Sequence, residues 1–302
     1  MRAWWLVGAA IAATACSSSS TPTGPGPGAA PPTPLNLVGT TLDQAVALTW
    51  DDNAFLANPS NFQNYRIYST SYSWSTDYLA GQCGSSWQLE GTTVAPEFIV
   101  GALANGVSRC FAVSSVGVNQ AESARSAPHN DTPRPDVRNI VLYATGVQAS
   151  QSGFRFWKDG NSDGQIQDNE LGLIVSGAGP DADFSVELTS VPDSLLLQPR
   201  RAGDGVLLAI YNNFAPVADL TSIDLAPDPA TPGPLGYSTA SAPLIPNMGY
   251  VFQVPGPSGS VLYGAMRPTH VGRQFIIFGW SLQTQPNNPE LRTVAKTAAA
   301  KP

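Results

Sequence analysis

Bulky side chains recur at every second position in short runs, and each run is stopped by turn residues. In Ala45-Val46-Ala47-Leu48-Thr49-Trp50 the large groups are Val46, Leu48 and Trp50, an alternation that places all three on one face of a strand. Tyr65-Arg66-Ile67-Tyr68, Phe98-Ile99-Val100 and Cys110-Phe111-Ala112-Val113-Ser114-Ser115-Val116 follow in the same manner. About seven such runs within roughly 100 residues predict a β-sandwich. Composition agrees: 28 Gly and 27 Pro against 12% charged residues suit short strands joined by turns better than helix bundles. The 302 residues leave room for two medium domains, each with its own core.

The order of the first runs resembles a fibronectin type III domain over residues 35–132. Pro34-Leu35-Asn36-Leu37 is similar to the family's opening, Val46-x-Leu48-x-Trp50 to its strand B and Tyr65-x-Ile67-Tyr68 to its strand C. Phe111-x-Val113-x-Ser115 stands where strand F belongs, and Glu122-Ser123 with Ser126-Ala127-Pro128 resembles the entry to strand G and the domain exit. The family's early strand F aromatic is Arg109 here, and its loop Gly is Ala121. The resemblance implies a fold, and folds host many functions.

After the linker Asn130-Asp131-Thr132-Pro133-Arg134-Pro135, strand-like runs resume across a second all-β domain at 137–302. They are Ile140–Tyr143, Phe154–Trp157, Phe184–Leu188, Val206–Tyr211, Tyr250–Phe252, Ser260–Met266 and Gln274–Trp280. The last two, joined through Gly272, are predicted to form a hairpin within the core. The Pro- and Ala-rich stretch from Asp224 to Pro246 reads as a long loop. This second domain resembles no characterised family.

The N-terminus has its own signature. Met1-Arg2 is followed by an apolar run from Ala3 to Ala13, too short to span a bilayer and suited to a secretion signal at 1–15. Thr14-Ala15-Cys16 resembles the lipobox of bacterial lipoproteins, although Ala13 stands where that family usually has Leu. The resemblance implies a lipid on Cys16, which ties the chain to a membrane in the cell envelope. Ser17, by the sorting rule of enteric bacteria, implies the outer membrane. Residues 16–34, rich in Ser, Pro and Gly, read as an extended tether that could reach roughly 50 Å.

With Cys16 lipidated, Cys83 and Cys110 remain as one pair in an oxidising compartment; two unpaired buried thiols are the alternative. If Phe111 and Val113 point inward, Cys110 points outward, and a bridge would staple the stretch after strand C onto that outer face. This stretch carries Tyr68, Tyr72, Trp74, Tyr78 and Trp87. Trp74 and Trp87, if exposed, could stack on sugar rings or hold a protein partner. The plainer reading is that the aromatics cover a sheet face or meet the second domain.

Asp159-Gly160-Asn161-Ser162-Asp163-Gly164-Gln165-Ile166-Gln167-Asp168-Asn169-Glu170 resembles the twelve-residue calcium loop of EF-hands. By that resemblance Asp159, Asn161, Asp163 and Glu170 supply side-chain oxygens to a structural Ca2+, and Gln165 its backbone carbonyl. The strand-like run before the loop argues for the single loops of dockerin-like and thrombospondin-like exterior proteins. A polar hairpin turn also favours Asn, Asp, Ser and Gly, so both readings stand.

Catalytic motifs are lacking. The two histidines, His129 and His270, fall in the linker and beside the hairpin turn, and no HExxH occurs. Gly256-Pro257-Ser258-Gly259-Ser260 lacks the closing Gly of a nucleophile elbow. Glu187 alternates with apolar neighbours and is expected to face solvent, and Asp181 and Asp183 sit in a Gly/Pro turn. The net charge is −7, and Lys158, Lys296 and Lys301 are the only lysines, which argues against nucleic acid. The expectation is a non-catalytic envelope lipoprotein displaying β-domains for binding or adhesion to a protein or glycan. An accessory module for polysaccharide capture, or a hydrolase with its site in the C-terminal domain, are the alternatives.

Overall fold

A computed structural model describes residues 28–73, 81–191, 194–229 and 236–291. The first sandwich is built from β1 (Val38–Leu42), β2 (Ala45–Thr49), a single-turn helix α1 (Asn53–Ala57), β3 (Phe62–Ser73), β4 (Gln82–Cys83), β5 (Gln88–Thr93), β6 (Glu97–Val100), β7 (Arg109–Gly117) and β8 (His129–Asp131). One sheet runs β1-β2-β6; the other runs β4-β3-β7-β8, with β5 also paired to β3. The alternation of the sequence becomes the core: Val46, Leu48 and Trp50 face Tyr65, Ile67, Phe111 and Val113. Burying each such side chain stabilises by about 1.5–3 kcal/mol. Trp50 meets Tyr65 edge-on at 5.2 Å, and the Tyr65 hydroxyl donates to Asp52 Oδ1 at 2.8 Å.

The Cys83–Cys110 disulfide is present and joins β4 to β7, with Cα atoms 5.7 Å apart. Cys110 is absent from the inner core but is 0% exposed, because the bridge and the chain around Cys83 cover the outer face of β7. Residues 28–34, read above as part of the tether, instead dock on this sandwich. Ser115 Oγ donates to the Pro32 carbonyl at 2.7 Å, Asn53 Nδ2 to the Thr33 carbonyl at 2.9 Å and Asn61 Nδ2 to the Ala29 carbonyl at 3.0 Å. A proline-rich strand lacks N–H groups but keeps its carbonyls, and asparagine and serine side chains satisfy them.

The second sandwich contains β9 (Asp136–Tyr143), β10 (Gly153–Trp157), β11 (Leu171–Val175), β12 (Phe184–Leu188), β13 (Leu195–Pro199), β14 (Leu207–Ile210), β15 (Ala242–Pro243), β16 (Tyr250–Pro255), β17 (Val261–Val271) and β18 (Phe275–Gln283). Its sheets are β11-β10-β12-β13-β15 and β14-β16-β17-β18-β9. Aromatic rings fill the space between them. Phe184 stacks on Phe252 at 4.9 Å, and Phe154 touches Phe278 at 5.3 Å and Trp280 at 5.4 Å. The predicted hairpin is β17–β18, with its register shifted between Pro268 and His270, the irregular place where a ladder tolerates proline. The outer face of this sheet is also covered: Val217, Leu220 and Ile223 pack on Val251, Tyr263 and Ala265. Within 224–246 the described residues hold one short strand, β15.

The linker is interior. Residues 131–135 are all buried, and Arg134 is 0% exposed. Arg134 N–H reaches the Leu42 carbonyl at 3.2 Å, and Leu282 N–H reaches the Pro135 carbonyl at 3.3 Å. Nearby, Ser108 Oγ donates to Gln285 Oε1 at 2.6 Å. Gly106, with φ +75°, lies so close that an added Cβ would stand 2.6 Å from Thr284 Oγ1. Only glycine meets both demands.

Candidate functional site

Residues 158–170 connect β10 to β11, which pair antiparallel with Trp157 opposite Leu171. The acidic loop is therefore the tip of a β-hairpin, closed by Lys158 N–H to the Glu170 carbonyl at 3.0 Å. Inside it the chain turns about Asp159, whose two carboxylate oxygens accept the N–H groups of Asp163 at 3.1 Å and Gly164 at 2.9 Å. Gly164 takes φ +71°, the left-handed geometry a sharp turn needs at this place. Asn161 Oδ1 accepts Asp163 N–H at 3.0 Å, and Asp163 Oδ1 accepts Gln165 N–H at 2.7 Å.

Glu170 differs from these exposed groups. It is 5% exposed, its Oε1 accepts Gly160 N–H at 2.7 Å, and its Oε2 is buried without a hydrogen-bond partner. An ionised oxygen in that state is costly unless a cation or donor meets it. The donor set is all hard oxygen, the chemistry calcium prefers over zinc. Among the described residues, however, no group of three or more His, Cys, Asp and Glu converges as a metal cluster. The loop would have to tighten for Asp159, Asn161, Asp163, the Gln165 carbonyl and Glu170 to share one ion.

Cys16 and Trp74 lie outside the described residues. Trp87 is half-buried beside the outer face of the β3–β7 sheet. Arg125, which the sequence did not single out, places its guanidinium 4.4 Å from the Tyr68 ring and 5.4 Å from the Trp87 ring. Next to it, Glu122 accepts from Tyr68 Oη at 2.6 Å, Ser114 Oγ at 2.5 Å and Arg66 Nη1 at 2.6 Å. Burial pushes the Glu122 carboxyl up, but these three donors together hold it below its ordinary value. The alternation of Arg66 and Tyr68 on β3 was the one available signal for this cluster; the arrival of Arg125 from a later loop had none.

His129 belongs to β8, not to a free linker, and is buried 3.9 Å from Asp131, which accepts from Thr41 Oγ1 at 2.6 Å. His270 is exposed with its ring 5.4 Å from Phe275. Glu187 lies on the outer face of β12, partly exposed as expected, and is held there by Arg200, by Ser185 Oγ at 2.6 Å and by Thr145 Oγ1 at 2.9 Å. Asp183 stands at the end of its Gly/Pro turn, directly before β12. It is buried against Phe156 N–H and Arg201 Nη1, each at 2.8 Å, and burial raises its carboxyl pKa. Chain direction brings Arg201 back beside Asp183, which residue spacing alone does not reveal.

No protein-family model matches the chain, and no curated protein matches it. Among solved structures, an Fn3-like protein from Clostridium thermocellum is 21% identical, covering 34% of this chain and 92% of its own, with a TM-score of 0.26. The fourth FNIII domain of a human protein is 18% identical, covering 39% of this chain and 92% of its own, with a TM-score of 0.26. A DUF4466 family protein from Parabacteroides merdae is 10% identical, covering 80% of this chain and 93% of its own, with a TM-score of 0.37.

Proposed function

We propose that this all-β chain is a non-catalytic exterior protein, tethered to the cell envelope through Cys16, whose two sandwiches serve binding and whose second sandwich carries one structural calcium. The Cys83–Cys110 disulfide on an otherwise buried face supports an oxidising exterior. The observation that carries the calcium is Glu170: one oxygen is fixed by Gly160 N–H, and the other is buried and unmet at the twelfth position of the loop. Calcium there would close the β10–β11 hairpin by drawing Asp159, Asn161, Asp163 and the Gln165 carbonyl toward Glu170. Trp87 is a poor sugar platform as it stands, since Arg125 already occupies its ring.

Calorimetric titration of the purified chain tests the reading. Millimolar calcium should give heat and a raised melting temperature, as expected of an isolated exterior loop with affinity on the order of 10⁻⁴–10⁻³ M. Both should vanish in Asp159→Ala/Glu170→Ala. Silence in the parent chain at 5–10 mM, chosen as about ten times the weakest affinity expected, would reduce the loop to a polar turn.

A further inference from the structure

The acidic loop at the tip of the β10–β11 hairpin also forms one wall of a groove between the two sandwiches. The groove has a volume of about 510 Å³, within the range of about 300–1,000 Å³ that small-ligand sites occupy. Gln44 and Asn105 come from turns of the first sandwich. Gln165 and Asp168, from the calcium loop, and Thr284, just past β18, come from the second. Asn105 is fixed for the purpose: its Oδ1 accepts Gln44 N–H at 2.9 Å and its Nδ2 donates to Asp43 Oδ1 at 2.7 Å. Gln44 and Gln165 face each other's sandwich with exposed amides, while Thr284 packs its hydroxyl against Gly106.

We infer that this groove is a binding site for an uncharged oligosaccharide, and that calcium in the adjoining loop organises its wall. The lining chemistry selects the ligand. Among the described residues, no Lys, Arg, His or aromatic side chain lines the groove, which disfavours phosphates, carboxylates and flat heteroaromatic rings. Three amides each donate and accept, as sugar hydroxyls do. Leu103, Ile166 and Pro286 add apolar flanks for the C–H faces of a ring. A peptide joining by strand addition needs a free edge, yet of the described lining residues only Leu171 lies in a strand. The volume accommodates about two or three sugar rings.

The calcium half of this inference rests on the reading of the loop given above; the groove half does not. Gln165 links them, because its backbone carbonyl faces the ion by the loop's pattern while its residue lines the groove. Gln165→Ala therefore removes a sugar contact and keeps the calcium ligand.

The test is calorimetry on the full chain, first with calcium alone and then with maltotriose, cellotriose, xylotriose and mannotriose as probes, each repeated in excess chelator. The expected result is calcium heat, binding of at least one trisaccharide, and clearly weaker sugar binding in chelator. Gln165→Ala should keep the calcium heat and bind sugar about tenfold more weakly, the scale of one hydrogen bond in a desolvated site. Gln44→Ala, on the first sandwich's wall, should do likewise. Calcium heat with no response to any trisaccharide overturns the groove and leaves the calcium loop standing. Sugar binding unchanged in both variants places the sugar elsewhere and also overturns it. Sugar binding lost in the variants but without calcium heat upholds the groove and removes the metal's part.

Discussion

Removing the Cys83–Cys110 bridge should destabilise the whole molecule, by an amount that follows from its span. The bridged residues are 27 apart. In the loop-entropy picture, freeing such a loop returns about 12 cal/mol/K to the unfolded chain, or about 3.5 kcal/mol at 25 °C. Cys83→Ala/Cys110→Ala also leaves a small void where Cys110 is fully buried, which adds a further cost of up to about 1 kcal/mol. How far the melting temperature falls depends on what melts together. If the first sandwich unfolded alone, its roughly 100 residues would carry about 0.2 kcal/mol/K of unfolding entropy, and the drop would exceed about 15 °C. The buried stretch 131–135 instead couples the two sandwiches, so one transition of more than 200 residues is expected, and the drop shrinks to about 7–10 °C. Differential scanning calorimetry of the oxidised parent and the double variant, with a denatured thiol count on each, measures both quantities. A single peak displaced by less than about 3 °C would refute the loop-entropy argument. Two peaks, only the lower of which moves, would refute the coupling.

Two further outcomes can be measured by denaturation. Phe184→Ala removes a ring packed against Phe154, Phe156 and Phe252 at 5.3, 5.9 and 4.9 Å and should cost about 3–5 kcal/mol in urea unfolding; a loss below about 1 kcal/mol would mean the two sheets do not close on this ring. Glu122 is held below its ordinary value of 4.5 by Ser114, Tyr68 and Arg66 in spite of burial, so the folded state favours its ionised form. Its contribution is present above pH 4.5 and is lost as pH falls through the lower folded value. Urea midpoints compared at pH 7 and pH 3 should therefore fall less in Glu122→Gln than in the parent, and equal falls would contradict the network.

The strands that bury one face were readable because the period of the side chains shows directly in the sequence. Val46, Leu48 and Trp50 did reach the core, and β17 and β18 did form the expected hairpin. β8 was hidden, since His129-Asn130-Asp131 has little strand preference and pairs only because β7 offers it an edge. β13 was hidden for another reason: Leu195-Leu196-Leu197 has no alternation to read, although alternate residues are buried once the sheets close. Likewise, the acidic loop was visible as a local motif, while its placement on a β-hairpin beside another domain was not. The groove required loops about 60 residues apart in the chain, around Asn105 and Gln165, to meet across a junction, and no local pattern encodes that meeting. Arg125 between Tyr68 and Trp87 belongs to the same class.

The buried junction has a bearing on how such a chain could be rearranged. Boundaries between domains commonly fall in exposed linkers that few contacts cross. Here a cut between the sandwiches would expose Pro133, Arg134 and Pro135 to water together and strip Gly106 from Thr284. Neither half would keep the surface it has in the intact molecule. A working graft of the first sandwich onto another protein would have to bring with it either a substitute for the Thr284–Gln285 corner or a redesigned exit.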